Sequence, residues 1–473
     1  IISIYVSRVL LTEGVGKVAY AKNIVSYFIT FAGLGLPMYG TREIAKIGNN
    51  NQLLNKLFSE LFIINAVSTT VVSAAFIFLI FGTRIFNDDV SLLLACGIQL
   101  LFNYINIDWF YRGREEYVYI VIRSIMIKIA SIIAILLFVR DKDDYIVYAL
   151  VSSLAVCGNY VFNILHARKY VKFDFKGLHL KKHMTPVMVL ALITLLSTIY
   201  NKVDVTMLGI LAGDAAVGLY SNSYKIIEMT LTALTSISAV FLPRLSYYYK
   251  NDRLNFFRLI NKGIDILLFL ALPATAGVFL LAPDVVLVLF GESFLDAGLT
   301  IRLFAPMLII RSFADLICYQ VSISTENEKK RLPTFLVAAI LNVIMNYTLI
   351  PKYLQNGAVI ASIVSELVAD VIFVISMRKL LKLKINLKNM IDSLSSTAIM
   401  ILTIYIITLF INNSILKLIF GVFSGLMVYI LFNYMIKNKT LNKSTNVIVQ
   451  VIKVTFSVVI AITIISLLEQ SGE

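Results

Sequence analysis

The chain has 473 residues, 59% of them hydrophobic and only 15% charged, with a mean hydropathy of +0.85. Soluble domains hold about 45–50% apolar and about 25% charged residues, so the composition excludes a soluble globular class and predicts an all-α polytopic membrane protein. The net charge of +14 is dispersed over short segments between apolar runs, which argues against a nucleic-acid partner, and the short alternating segments of an outer-membrane barrel are missing.

A membrane helix needs about 20 apolar residues. The first run, Ile1–Leu11, covers only about 16 Å as a helix and reads as the remnant of a truncated span. The following spans are expected at Lys17–Ile44, Lys56–Phe81, Asp89–Tyr111, Glu116–Val139 and Tyr145–His166. Then come Pro186–Leu211, Ala215–Phe241, Ile260–Leu281, Leu295–Val321, Leu332–Ile350, Ala358–Met377, Met390–Ile411 and Leu416–Ile436. That makes fourteen, with Val447–Leu468, interrupted by Lys453, as a candidate fifteenth. Lys and Arg gather in every second connection, the pattern of cytoplasmic loops, and both ends of the fourteen-span body fall on the cytoplasmic side.

The longest basic connection holds Arg168, Lys169, Lys172, Lys176, Lys181 and Lys182. It suggests a division into an amino-terminal six-helix lobe (1–168), a basic cytoplasmic linker (169–185), a second six-helix lobe (186–384) and peripheral helices (385–473). An internal repeat agrees with this. Val15-Gly16-Lys17 and the following VAYAKNIV resemble Val217-Gly218 and the following LYSNSYKII, with Lys22 and Lys225 within one residue of equivalence. Two repeats of six spans share one orientation, so their pseudo-two-fold axis is expected along the membrane normal, with a cleft between them. Gly33, Gly35, Pro37 and Gly40, then Pro273 and Gly277, then Pro306 interrupt three of the spans, as packing kinks or as gating bends.

Charges within membrane helices cost about 2.5–3.5 kcal/mol each on insertion scales and usually face a bundle interior or a watery cavity. Here the basic ones are Arg8, Lys22, Arg123, Lys128, Lys202, Lys225, Arg302 and Arg311, and the acidic ones Asp108, Asp204, Glu228, Asp315, Glu366 and Asp370. Arg311 and Asp315 are spaced to neutralise each other. Arg8, Lys22, Arg123, Lys202 and Lys225 lie on five different spans, and a cleft lined by them would attract a phosphate or another anion. Asp204, Asn342, Asn346 and Ser362 form a second set, whose oxygens suit Na⁺ or a proton, or simply join helices. His179 and His183 stand four apart but flank Lys181 and Lys182 in what reads as a solvated segment, so no metal site is expected. Cys96, Cys157 and Cys318 read as small core residues. There is no Walker A motif and no hydrolytic or redox motif, and an enzyme is not expected.

The stretches SRVLLTEGVGKVAYAKNIVSYFITFAGLGLPMYGTREIAK from Ser7, NIDWFYRGREEY from Asn106, DVTMLGILAGDAAVGLYSNSYKI from Asp204 and TENEKKRLPTFLVAAILNVIMNYTLIPKYLQNGAVIASIVSELV from Thr325 resemble the signatures of bacterial polysaccharide flippases. That family carries O-antigen and capsule repeat units and belongs to the multidrug/oligosaccharidyl-lipid/polysaccharide (MOP) exporter superfamily. The resemblance implies two six-helix lobes plus two peripheral helices in the bacterial cytoplasmic (inner) membrane. It also implies alternating-access flipping of an undecaprenyl-diphosphate-linked oligosaccharide, with a Na⁺ or H⁺ coupling ion and no other cofactor. The partners expected are that substrate, membrane lipid and other polysaccharide-assembly membrane proteins, with the chain itself a monomer. The alternative is a cation-coupled multidrug antiporter of the same superfamily, against which the basic cleft set argues.

Overall fold

The computed structural model describes residues 2–48, 50–82, 90–378, 380–381, 386–438 and 440. The candidate span Val447–Leu468 lies outside the described residues. Among the described residues the chain is helical throughout, and no strand occurs. The helices are α1 (Ile2–Gly33), α2 (Leu36–Ile47), α3 (Asn51–Gly82), α4 (Val90–Phe102), α5 (Asp108–Gly113), α6 (Tyr117–Phe138), α7 (Tyr145–Ala167), α8 (Leu180–Leu211) and α9 (Asp214–Ala239). They continue as α10 (Phe241–Asn251), α11 (Arg253–Phe290), α12 (Ala297–Phe304), α13 (Met307–Ala314), the single turn α14 (Ser322–Ser324), α15 (Arg331–Tyr353), α16 (Gln355–Met377), α17 (Leu387–Phe410) and α18 (Ser414–Met435).

Eleven helices among the described residues are long and apolar enough to cross a membrane. Three local features account for the distance between eleven and the expected fourteen. The first two expected spans run together: α1 is broken only at Leu11, with φ 57° and ψ −170°, so the remnant and its successor are continuous. The fourth stops early. α4 ends where Asn103, fully buried, donates from its side chain to Thr69 Oγ1 at 2.9 Å, while its carbonyl accepts from Asn65 Nδ2 at 2.6 Å. A polar knot satisfied by α3 thus replaces further helix, because a buried polar group left unpaired is costly. The tenth is divided at Pro306, which removes a backbone donor. α12 and α13 are short, and a π-helical turn follows at Asp315–Val321.

Backbone packing gathers the described residues into two compact units. The amino-terminal unit is Val9–Gly209 with Ile2, and the carboxy-terminal unit is Ser3–Arg8 with the described part of Ile210–Glu473. The basic 169–185 segment and nearly all of α8 therefore belong to the amino-terminal unit.

That unit has two apolar cores. One is aromatic, around Phe58, Trp109, Phe110 and Tyr111, and the other is built on Val18, Phe76, Leu92, Cys96 and Ala149. The carboxy-terminal unit centres on Leu245, Phe256, Ile264, Leu316, Ile317 and Phe373. Its helix α11 is capped by Asp252, whose carboxylate accepts from Leu254 N and Asn255 N; the Asn255 amide is the main cause of a carboxyl held below its ordinary value. Helices α17 and α18 dock on α11: Asn389 Nδ2 donates to Asp265 Oδ2 at 2.8 Å, and the Tyr429 hydroxyl donates to the Phe269 carbonyl at 2.7 Å. All three cysteines are buried and free. Large apolar side chains such as Phe78, Val118, Ile210 and Phe410 stand exposed along the long helices, as lipid contact requires.

Gly35 makes the elbow between α1 and α2. Its φ is +71°, and a Cβ there would meet Leu190 and the Ala191 amide of α8. Pro37 then starts α2 at the position where a missing N–H is harmless. Gly48 also has positive φ, at +61°, but faces open space. Gly35→Ala is therefore expected to lower thermal stability in detergent by more than the roughly 1 kcal/mol of left-handed strain that Gly48→Ala shows alone. Equal melting shifts for the two variants would contradict the elbow packing.

Candidate functional site: charged side chains within the apolar helices

Each unit holds its own set of charged groups on apolar helices, and the partners differ in kind. In the carboxy-terminal unit, Arg8 donates to the Val288 carbonyl at 2.6 Å. Lys225 Nζ donates to Ser3 Oγ at 3.2 Å and to Asn222 Oδ1 at 2.9 Å, and the fully buried Asn222 donates onward to Ser7 Oγ at 2.7 Å. Arg8 and Lys225 thus meet at the first two turns of α1, held by neutral oxygens.

In the amino-terminal unit, α1 and α8 are joined by a polar seam. Asn23 Nδ2 donates to Thr206 Oγ1 at 2.7 Å and to the Lys202 carbonyl at 3.2 Å, and Tyr27 OH lies 2.9 Å from Thr206 Oγ1. Lys202 borders a cavity of about 370 Å³ with Met38, Ile193, Thr194, Ser197, Thr198 and Asn201. Lys22, on the neighbouring position of α1, turns instead into its own unit, with Nζ 4.6 Å from the centre of the Tyr148 ring. Arg123 is 7% exposed and enclosed. It donates to Asn163 Oδ1, to the Asn159 carbonyl and, at 3.4 Å, to Asp108 Oδ1. Asn163 donates to the same carboxylate. Asp204 is buried in this unit, while Asn342, Asn346 and Ser362 are buried in the carboxy-terminal one, where Asn346 donates to Asn342 Oδ1 at 3.0 Å.

The carboxy-terminal unit also contains a charged cavity of about 220 Å³ between α9, α13, the π-helical turn, α15 and α16. Arg311 pairs with Glu366 Oε2 at 3.0 and 3.1 Å and donates to the Tyr224 hydroxyl at 2.7 Å. This corrects the i, i+4 pairing expected with Asp315, which instead accepts from Ser238 and Gln320. Winding the backbone into a π turn redirects Asp315, and such turns gather at functional positions. Asp370 takes the Cys318 thiol at 3.5 Å, and Arg331 lies 4.9 Å from the Tyr319 and Phe335 rings.

A further polar chain escaped the sequence reading. His183, expected in a solvated segment, is 3% exposed. Its Nε2 lies 2.8 Å from Glu60 Oε2 and its Nδ1 2.7 Å from the Tyr39 hydroxyl. The neighbouring Lys181 and Lys182 hid it; the visible signal was Glu60, the acid within the apolar run Lys56–Phe81. Among the described residues no group of three or more His, Cys, Asp or Glu is placed to hold a metal ion.

An all-helical body with, among the described residues, eleven helices long and apolar enough to cross a membrane is that of a multi-pass membrane protein. Residues 1–248 match the polysaccharide biosynthesis protein family, and the chain belongs to that family. A protein of Escherichia coli (strain K12), provisionally named an O-antigen transporter, is 22% identical over 76% of this chain and 88% of its own length. Among solved structures, the lipid II flippase MurJ in an inward closed conformation superposes with a TM-score of 0.65 at 16% identity, covering 93% of this chain and 99% of that one. An inward-facing multidrug resistance MATE transporter of the MOP superfamily gives 0.64 at 16% identity, over 80% and 92%. The chain thus shares its fold with these two transporters.

The partner types make a stability prediction. Removing one member of a buried ion pair costs up to about 3–5 kcal/mol, because a charge is left uncompensated, whereas apolar replacement of both is often neutral. Glu366→Leu is expected to lower the detergent melting temperature clearly, and adding Arg311→Met to restore most of it. A double variant as unstable as the sum of the singles would contradict the pairing.

Proposed function

We propose that this chain flips undecaprenyl-diphosphate-linked oligosaccharide repeat units from the cytoplasmic to the outer leaflet by alternating access, in the bacterial cytoplasmic membrane. The observation that carries the reading is the match of residues 1–248 to the polysaccharide biosynthesis family, in a chain that places Arg8 and Lys225 by hydrogen bonds at the start of α1. Arg and Lys recognise a diphosphate by charge-assisted hydrogen bonds. Lys202, which borders a cavity of the amino-terminal unit, is proposed to serve an anion there, and Lys22, turned onto the Tyr148 ring, is less well placed for it. Arg123, enclosed by Asp108 and Asn163, has the weakest geometric support of the five. The lobe limits of the sequence reading, the monomeric state and assistance from other polysaccharide-assembly membrane proteins belong to the same proposal.

Likeness to a multidrug MATE transporter is a likeness of fold, and a cationic drug is poorly served by a set of lysines and arginines. The antiporter therefore stands second.

A charge-assisted hydrogen bond is worth about 1.5–3 kcal/mol, so Lys225→Ala is expected to slow flipping of a defined lipid-linked oligosaccharide in liposomes by about ten- to a hundredfold, with normal insertion. Unchanged transport would remove Lys225 from the site. For coupling, Asp204 in the amino-terminal unit and, separately, Asn342, Asn346 and Ser362 in the carboxy-terminal one are proposed as positions for Na⁺ or a proton. Asp204→Asn is expected to abolish the Na⁺ or pH dependence of flipping, and an unaltered dependence would end that assignment.

A further inference from the structure

The basic segment between α7 and α8 is a docked strap rather than a free loop. Three of its backbone N–H groups are received, in order, by side chains of α3. Lys172 N donates to Asn55 Oδ1 at 2.9 Å, Asp174 N to Ser59 Oγ at 2.8 Å and His179 N to Glu60 Oε1 at 2.7 Å. Glu60 then closes the series through its second oxygen on His183. A five-residue step from Asn55 to Glu60 spans about 7.5 Å of helix, so the ladder fixes the strap against the first turns of α3, just ahead of its long apolar stretch. The strap also joins two helices long and apolar enough to span the membrane. Its place is therefore the membrane–water boundary.

The outer face of the strap has a definite chemistry. Val171 turns into the aromatic core. Phe173 packs on Phe58 and Phe62 at 5.5 and 5.0 Å, and Phe175 stacks on Phe173 at 5.6 Å with the rings 8° apart. Yet Phe173 is 47% and Phe175 60% exposed. Lys169, Lys172, Lys176, Lys181 and Lys182 are exposed around them, while the acid of the strap, Asp174, turns back to accept from Lys176 N. Exposed phenylalanines beside lysines at a membrane boundary match an anionic lipid surface. There rings insert among headgroups, and each lysine is drawn to the negative surface. A free loop would lose this by disorder; the ladder prepays the ordering.

We propose that residues 169–182 form a preorganised binding surface for anionic phospholipid headgroups of the adjoining leaflet, with Phe175 as the inserted side chain. This rests on the membrane character of the chain and not on the identity of its substrate.

The test uses the full chain carrying Phe175→Trp in nanodiscs, with the parent, whose one tryptophan is the buried Trp109, as background. The bilayers are phosphatidylcholine alone or mixed with phosphatidylglycerol. With phosphatidylglycerol the introduced indole is expected to emit at shorter wavelength, to be quenched by acyl chains brominated near the headgroup and to be shielded from acrylamide. These effects should fade in phosphatidylcholine alone and at 1 M salt, where the screening length falls to about 3 Å. Adding Lys169→Gln, Lys172→Gln, Lys176→Gln, Lys181→Gln and Lys182→Gln should abolish the phosphatidylglycerol dependence while the 172, 174 and 179 amides stay protected from hydrogen exchange. If five changes loosen the strap, Lys172→Gln with Lys176→Gln should weaken the same dependence. Identical emission and full acrylamide access in both bilayers would overturn the proposal, showing a solvated strap. Shielding produced in phosphatidylcholine by inorganic pyrophosphate alone would overturn it too, by assigning the surface to a free anion.

Discussion

The cost of an unsatisfied polar group away from water governs this structure more than any single apolar contact. Apolar packing gives each unit its cores, but those cores specify little beyond burial. What differs from helix to helix is how each polar intrusion is satisfied. Asn103 ends α4 because its carbonyl and amide find Asn65 and Thr69 on α3. Asn23 fixes α1 to α8 by reaching the Lys202 carbonyl and Thr206 together. His183 enters the core only because Glu60 and Tyr39 receive both ring nitrogens. Each of these joins one helix to another, α3 to the end of its neighbour α4 and α1, α2 and α3 to the distant α8, so the polar groups act as the address labels of an otherwise uniform apolar surface.

The sequence conveyed class and rough organisation through quantities that average over many residues. Mean hydropathy, run length and loop charge identify a helical membrane protein without reference to any one contact. They failed where one residue decides the outcome. Leu11 is an ordinary helix former, and nothing local announces that α1 bends there yet continues. The stop after Phe102 depends on Asn65 and Thr69 of α3, which lie 38 and 34 residues from Asn103 and meet it only after folding. Pro306 was visible as a breaker, but the π-helical turn that follows it has no sequence signature. The same holds for Asp315. Helical spacing offered Arg311 as its partner, and the π turn gave Arg311 to Glu366 instead.

The histidines show a different limit. His179 and His183 share one basic stretch, and burial separates them: the first contributes a backbone donor to Glu60, the second its ring. Charge density predicts a solvated segment correctly for Lys181 and Lys182. It says nothing of the residue between them and the next apolar run, because a helix end can turn one side inward while its other side stays wet.

Partner type sorts the buried cations more finely than depth does. Arg311 and Arg123 have carboxylates within reach, Glu366 beside a cavity and the partly exposed Asp108. In such a pair the desolvation of the cation is partly offset inside the protein, and an incoming anion would have to compete with a fixed carboxylate. Arg8 and Lys225 donate to a carbonyl, a hydroxyl and an amide oxygen, and acceptors of this kind fix where each N–H points. In a hydropathy plot all four cations look alike, since each appears as a single charge in an apolar run. The acceptors set the direction of each one, so Ser3 and Asn222 bear on Lys225 as Glu366 bears on Arg311 and Asp108 on Arg123.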